Sequence, residues 1–400
     1  MKFDSNISKE EYIKFWKTNP NQHFLNSYNW GIVNKENRNL IPYYVGLRDI
    51  NNNIVCETLL LLKKTPLNMS YIYAPRGYLI DWNNTKLVQE FTKALKEFMK
   101  DNNSIYLRVD PAIIYQDIDE EAKPIKDGNN NYKLFDDIKS LGYKHTGFFK
   151  LYDGNQPRYT FRTYNKEFNT FEDLEHTISK TFMRSIKRSY NYDLNIQIKD
   201  DIKDFYDLVL KVSEKDGFKA YSKKYYEDIF NLFNEDNYIK NFTASIDLKS
   251  VINKFKEQVK AEKNQDKINK LNKDIAFLES KLTKESNIVI ASLICIYTET
   301  GAWSLYIGND DIAQYTGTVN RLYYEFLKDS YENHKEFSDL FGTVGDPKTK
   351  YKNLAGIYEY KRKLGGKYIE WIGEFDLINK PFMYKILPLL LKIYRKLKRR

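Results

Sequence analysis

Apolar and polar positions along the first hundred residues predict short strands interrupted by helices. Ser8-Lys9-Glu10-Glu11 opens a helix through Phe15 and Trp16, with Ser8 as the cap and Glu11 three residues on. LIPYYVGLRD and IVCETLLLLKK read as strands around the Asn51-Asn52-Asn53 turn. MSYIYAPRGYLID is a strand broken by Pro75 and Gly77, and TKLVQEFTKALKEFMKDN carries apolar residues at helical spacing with a polar outer face. SIYLRVDP returns as a strand and stops at Pro111. A hairpin followed by strand, helix and strand predicts a sheet covered by helices.

A second round follows the first. GFFKLYDG and PRYTFRTY read as strands, FEDLEHTISKTFMRSIKRSYNYD as one basic helix, and LNIQIK as a strand. Two helices (DIKDFYDLVLKVSEKDG, SKKYYEDIFNLFNE) precede the strand NFTASIDL. IVIASLICIYTETGAWSLYIG is a hairpin about Glu299-Thr300-Gly301, running into the helix QYTGTVNRLYYEFLKDSYE. This order is similar to an acyltransferase fold of the N-acetyltransferase (GNAT) type, and the two halves repeat one plan. The expected class is α/β (α+β) with two tandem GNAT-like domains. Between Leu248 and Ile288 lies a stretch without Gly or Pro, in which Ile268, Leu271, Ile275, Leu278 and Leu282 form a heptad seam. Ile252, Phe255 and Val259 form the facing arm, giving an antiparallel coiled-coil hairpin that projects from the body. The expected division is 1–150 for the first domain, 151–247 and 288–380 for the two parts of the second, 248–287 for the arm, and 381–400 for a basic C-terminal helix.

Charge narrows the partners. Of 400 residues, Lys+Arg number 64 and Asp+Glu 54, a net charge of +10 that predicts an anionic partner. Cys56 and Cys295 sit in apolar runs and are expected as buried thiols, too few for a disulfide framework or a cysteine-rich zinc site. The four histidines are scattered, so no metal is expected. The N-terminus has no apolar core of signal-peptide type, and no run reaches the ~18 apolar residues of a membrane span. A soluble, intracellular, basic protein is the expectation.

No GxSxG, HExxH or GxxxxGK[ST] motif is present. Gln314-Tyr315-Thr316-Gly317-Thr318-Val319 approaches the [RQ]xxGx[GA] loop with which acetyl-CoA acyltransferases hold pyrophosphate on backbone N–H groups, but Val319 crowds its last position. FLNSYNWGIVNK (24–35), YAPRGYLID (73–81), LRVDP (107–111), QPRYTF (156–161), KTFMRSIKRSYNYDLNIQI (180–198) and YKNLAGIYEYKRKLGG (351–366) resemble, in order, the motifs of the Fem family of peptidoglycan interpeptide-bridge aminoacyltransferases. The heptad arm falls where many members of that family carry a coiled-coil hairpin.

The resemblance implies transfer of an amino acid from aminoacyl-tRNA to the stem-peptide amine of a peptidoglycan precursor. That acceptor is usually lipid II, or else a UDP-linked muramyl pentapeptide, and no cofactor takes part. The donor is an activated ester, so a neutral amine attacks directly and no covalent enzyme intermediate is needed. The site must orient two substrates and stabilise an oxyanion. By resemblance Lys361 supplies that stabilisation, with Tyr360 keeping the aromatic position before it. Lys35 contacts precursor phosphate, and Arg76 points into the cleft or pairs with Asp81. Asp110 contacts the acceptor stem, and Tyr306 faces the acceptor. Arg184 shares a basic helix face with Lys180, Lys187 and Arg188, suited to tRNA or lipid pyrophosphate. Where relatives carry an arginine before a Tyr-Tyr pair, this chain has Lys219, Lys223 and Lys224, which leaves the second phosphate contact unassigned.

The C-terminal stretch KPFMYKILPLLLKIYRKLKRR sets Ile386, Leu389, Leu390, Ile393 and Leu397 against Lys392, Arg395, Lys396, Lys398, Arg399 and Arg400. Such a helix suits an anionic membrane surface, here the inner face of a bacterial cell membrane. Two other classes remain open: a coenzyme-A-dependent acyltransferase, and a non-catalytic coiled-coil protein that binds nucleic acid or membrane. Monomer and dimer are equally compatible with the arm.

Overall fold

The computed structural model describes residues 1–65 and 68–397, with side chains of the last helix described to residue 391. The first half runs β1 (Lys2–Asp4), α1 (Lys9–Thr18), α2 (Tyr28–Arg38), β2 (Ile41–Arg48), β3 (Ile54–Lys64), β4 (Ser70–Ala74), α3 (Thr85–Asp101), β5 (Ser104–Val109), β6 (Ile114–Asp117), α4 (Tyr132–Ser140) and β7 (Tyr143–His145). Local chemistry sets several of these ends. The Ser8 hydroxyl accepts from Glu11 N–H and caps α1, and Asn84 does the same for α3 through Leu87 N–H. Along β3, Cys56, Leu60 and Leu62 face one core while Leu59 and Leu61 face another, so both faces of this strand are buried.

The second half runs β8 (Tyr159–Tyr164), α5 (Phe171–Glu175), α6 (Lys180–Ser189), β9 (Asn195–Lys199), α7 (Phe205–Asp216), α8 (Lys223–Asn234), β10 (Ile239–Asp247), α9 (Leu248–Ala261), α10 (Gln265–Ser280), β11 (Asn287–Tyr297), β12 (Gly301–Asn309), α11 (Asp311–Thr316), α12 (Thr318–Glu332), β13 (Phe337–Thr343), α13 (Lys352–Arg362), β14 (Lys367–Trp371), β15 (Phe375–Ile378) and α14 (Pro381–Leu397). Three expected elements differ. GFFKLYDG forms no strand, because it lies on the crossing from one sheet to the other. The single basic helix is two, since Ser179 caps a fresh start at Lys180. The helix after β12 is also two, broken where Gly317 adopts φ +81°.

α9 and α10 run side by side in opposite directions, Lys256 pairing with Glu279 and Glu262 with Lys267 at the turn. Their inner residues Phe255, Ile275 and Leu278 belong to the core of the second half, which anchors the base of the hairpin. Leu282 lies past the end of α10 and is exposed, so the seam stops at Leu278.

Among the described residues the strands form a seven-stranded sheet, β1-β2-β3-β4-β5-β15-β7, and an eight-stranded one, β6-β14-β8-β13-β12-β11-β10-β9. Each contains four antiparallel strands (β1 to β4; β9 to β12), a covering helix (α3; α12) and a parallel fifth strand (β5; β13). In each, two helices separate the first strand from the second. The sixth position is exchanged. β15, from the end of the chain, lies between β5 and β7, while β8, which follows β7 in sequence, lies beside β13 in the other sheet. β6 also crosses, to the edge next to β14. A cut at residue 150 thus leaves strands of each sheet on the far side.

Buried Asp376 fastens the exchange, accepting from Arg108 Nε and Nη2 at 2.7 and 2.8 Å and from the Tyr384 hydroxyl at 2.7 Å. A further core joins the halves directly, setting Tyr12, Trp16, Phe24 and Trp30 against Tyr226, Phe230 and Trp303. Each such side chain contributes ~1.5–3 kcal/mol by burial.

Glu57 on β3 is fully buried, and neither of its carboxyl oxygens is hydrogen-bonded. Burial pushes its pKa from 4.5 up to about 10. The folded chain keeps this proton after the unfolded chain has released it, so stability falls as pH rises between those values. At pH 7 holding the acid neutral costs roughly 3 kcal/mol. Glu57→Gln, isosteric with the neutral acid, should therefore unfold at higher denaturant than the parent at pH 9, with the gap closing toward pH 5. Equal midpoints at both pH values would mean that the carboxylate is ionised and partnered.

Candidate active site

β12 and β13 pair in parallel over only Gly301–Trp303 and Phe337–Asp339. Beyond that they part, and β13 also slips register against β8 between Asp339 and Gly342. At this slip Lys361 binds three consecutive carbonyls, two of which also accept from the Thr160 and Tyr152 hydroxyls. Its Nζ donates to Leu340 O at 2.6 Å, Phe341 O at 3.0 Å and Gly342 O at 2.7 Å. A lysine ammonium has three N–H groups, so all are engaged. Burial lowers the Lys361 pKa to about 8, with Asp339 pulling the other way.

Asp339 pins the slipped segment. It accepts from Thr160 Oγ1 at 2.6 Å, Phe341 N–H at 2.7 Å and Arg162, whose guanidinium lies 3.8 Å from the Phe337 ring centre. Phe341 is held at φ +56°, a left-handed conformation that only such bonding sustains in an aromatic residue. The preceding residue on α13, Tyr360, points elsewhere. It packs edge-on against Phe182 of α6 and Tyr323 of α12, and its hydroxyl donates to Asn320 at 3.1 Å.

A second group gathers where α2 meets α8 and β12. Half-buried Tyr306 lies 3.1 Å from the Tyr225 hydroxyl, with Tyr226 edge-on at 5.1 Å. Arg38 stands over the rings of Tyr221 and Tyr225 at 5.7 and 5.6 Å. Lys35 is exposed one turn earlier on α2, whose C-terminal end favours cations. Asn29 and Asn37 of α2 donate to Asp236 and Asp228 at 2.9 and 2.8 Å, which fixes the two helices together. The site therefore draws on both halves of the chain.

Arg76 and Asp110 also come together, but inside the protein. Asp110 accepts from Arg76 N–H at 2.9 Å and faces its guanidinium at 3.6 Å. Arg76 pairs with Asp110 rather than Asp81, donates to Pro157 O at 2.8 Å and stacks on Trp371 at 5.1 Å. Burial pushes Asp110 up to about 7, against the pull of Arg76. Between Arg76 and the Phe341–Gly342 segment lies a cavity of about 10 Å³, space for no more than one water. Arg184 lies apart from all of these, exposed on α6.

The loop resembling a pyrophosphate site is closed. A side chain at Gly317 would meet Ser185 of α6 at about 2.5 Å, and Thr316 and Thr318 are fully buried. The α11–α12 turn thus packs on α6 where a coenzyme's phosphates would approach.

Sequence reasoning reached Lys361, Tyr306 and Lys35 through motifs. It missed Arg38, Tyr225 and Asp339, although the Tyr225-Tyr226 pair and the Arg38 charge at a helix end were visible signals.

Residues 7–392 match the FemAB family. The chain belongs to it. Curated relatives of this FemAB member include a lipid II:glycine glycyltransferase of Staphylococcus epidermidis, 26% identical over an alignment that spans 98% of this chain and 99% of the relative. Aminoacyltransferase FemA of the same species is 24% identical over 98% of this chain and 100% of its own. A crystal structure of FemX shares the fold at a TM-score of 0.78 and 22% identity, covering 96% of this chain and 100% of that one. A tandem GNAT protein from the clavulanic acid pathway shares it at 0.51 and 8%, covering 94% and 98%. Like its curated relatives, this FemAB member is an aminoacyltransferase.

Proposed function

We propose that this chain transfers an amino acid from aminoacyl-tRNA to the stem-peptide amine of lipid II, or of a nucleotide-linked muramyl pentapeptide, and so builds the interpeptide bridge of the cell wall. The observation that carries this reading is the Lys361 ammonium, held by three carbonyls just past the point where β12 and β13 stop pairing. A cation fixed there, beside a gap between strands, suits an oxyanion that forms in the gap. In the proposed reaction the neutral amine attacks the ester carbonyl and a C–N bond forms. The C–O bond to the tRNA ribose breaks, and the amine proton ends on the departing ribose oxygen. Lys361 releases one carbonyl to hold the oxyanion during this step. Lys35 and Arg38, with Tyr225 and Tyr306 behind them, hold acceptor phosphate.

Closure of the Gly317 loop by Ser185 favours tRNA over coenzyme A as donor. For a lipid-linked acceptor, α14 is the membrane-facing element: Phe382 is 72% and Leu389 58% exposed. The basic residues Lys392, Arg395, Lys396, Lys398, Arg399 and Arg400, with apolar Ile393 and Leu397, lie outside the described side chains. Among the described residues no helix is long and apolar enough to cross a membrane.

The test is incubation with pooled charged tRNA and lipid II, followed by product mass. A defined mass increment is expected and names the amino acid. No increment with any amino acid would sink the proposal, and saturable thermal stabilisation by acetyl-CoA alone would replace it with the coenzyme A reading.

A further inference from the structure

We infer that Tyr152 is a positioning residue for the transfer step: its hydroxyl holds Gly342 O and makes that carbonyl the one Lys361 lets go. The inference rests on the proposed oxyanion role of Lys361 and says which of its three bonds opens toward the substrate. The ammonium has no spare donor, since Leu340 O, Phe341 O and Gly342 O engage all three N–H groups. Reaching an oxyanion therefore means giving up one carbonyl. A buried acceptor that loses a donor costs most where no other donor remains. The carbonyl released most readily is the one that keeps a second partner.

The three carbonyls differ in this respect. Among the described residues no side chain other than Lys361 donates to Leu340 O. Phe341 O has the Thr160 hydroxyl at 3.0 Å, but Thr160 also lies 2.6 Å from the Asp339 carboxylate and has one proton to give. The shorter bond goes to a charged acceptor and holds that proton more strongly. Gly342 O has the Tyr152 hydroxyl at 3.0 Å. Among the described residues that hydroxyl donates to no other group. When Lys361 leaves Gly342 O, the tyrosine stays on it.

Tyr152 is set there by the segment 146–158, which crosses from one sheet to the other. Lys150 O accepts from Gly345 N–H at 2.7 Å, and Pro157 O accepts from buried Arg76 at 2.8 Å. Between these two ties, Asn155 N–H donates to the Glu374 carboxylate. Gly342 lets the crossing lie close, because any side chain there would run into Pro157 and the Tyr152 ring. The Tyr152 ring is 40% exposed and lies outside the buried cores, so its hydroxyl can be removed without disturbing them. A phenol titrates at roughly 10, above this lysine, and so remains a donor while Lys361 changes charge.

The experiment uses Tyr152→Phe in the full chain, which keeps the ring and removes the hydroxyl; its urea midpoint should match the parent. With charged tRNA and lipid II, kcat should fall roughly tenfold while both KM values hold. In the Lys361→Met background the same substitution should cost nothing further, because it acts through the lysine. A second readout needs no turnover. In NMR spectra of isotope-labelled lysine side chains, the signal absent from Lys361→Met should titrate near 8 in the parent. It should move upward in Tyr152→Phe, since Gly342 O then serves the ammonium without a competing hydroxyl. Unchanged kcat in Tyr152→Phe, an unmoved lysine titration, or an equal loss in the Lys361→Met background each overturns the inference and leaves transfer intact. If the parent yields no product with any charged tRNA, the transfer reading fails and the titration alone decides. An upward shift then keeps Tyr152 as the group that loosens Lys361, and an unmoved one removes it.

Discussion

Lys361→Met lowers turnover by roughly 10²–10³-fold, the usual cost of one oxyanion donor, while acceptor affinity stays within a few-fold. Methionine keeps the length and apolar stem of the side chain but removes the charge and all three N–H groups. The loss should fall on kcat, because the oxyanion exists only in the transition state. A rise in acceptor Kd as large as the fall in kcat would make Lys361 a binding residue instead. The variant also removes a donor from the carbonyls of Leu340, Phe341 and Gly342, of which Phe341 O keeps the Thr160 hydroxyl and Gly342 O the Tyr152 hydroxyl, so its thermal stability must be measured beside its activity. Lys361→Arg restores charge but not the tripod of donors, and should recover part of the turnover. The pH profile gives an independent reading. Burial sets the lysine near 8, and the proposed oxyanion role needs its protonated form. Lys361→Arg keeps the acceptor amine's own rise of turnover with pH, and relative to it the parent's turnover should decline above pH 8. A ratio of the two flat through pH 9 would remove the lysine charge from the mechanism.

Asp376→Ala destabilises both halves together, by about 3 kcal/mol. Removing one partner of a buried ion pair costs about 3–5 kcal/mol. The lower end applies because a quarter of the Arg108 side chain remains exposed. The substitution also strips a partner from the Tyr384 hydroxyl. Asp376 lies on β15, the strand that the end of the chain inserts between β5 and β7, so the damage falls on the first sheet although the residue is near the end of the sequence. Urea unfolding should show one transition, shifted to a lower midpoint and coincident by fluorescence and circular dichroism. Two separated transitions, with only the first sheet melting early, would overturn the mutual dependence. For the same reason residues 1–150 expressed alone should fail to fold, since that segment lacks the strand between β5 and β7, and co-expression with 151–400 should rescue it.

Much of the local structure is legible because its causes are local. Ser8 and Asn84 cap helices through N–H groups three residues away, and the apolar spacing of Leu87, Phe91, Leu95 and Phe98 marks the buried side of α3 whatever the sheet does. The repeat of one plan in both halves is also visible as element order. The breaks are harder to read. Gly317 interrupts a helix at a position where helical spacing continues on either side, and Ser179 begins a new one inside an apolar-periodic stretch.

The site divides in the same way. Lys361 is singled out by its motif, but its setting depends on carbonyls about twenty residues upstream, at the point where β13 slips against β8. Arg76 and Asp110 stand in separate motifs, and only packing places both in the interior against Pro157 and Trp371.

By itself the sequence determined the helices and most strands, the basic excess, the absence of a nucleophile motif and the family resemblance, since each follows from residue type and spacing within a short window. The tertiary structure alone decided the strand exchange, the carbonyl cradle of Lys361 and the closed Gly317 loop. Each of those depends on which distant segment supplies the neighbouring strand or helix, and hydrogen-bonding partners across a sheet leave no period in the chain.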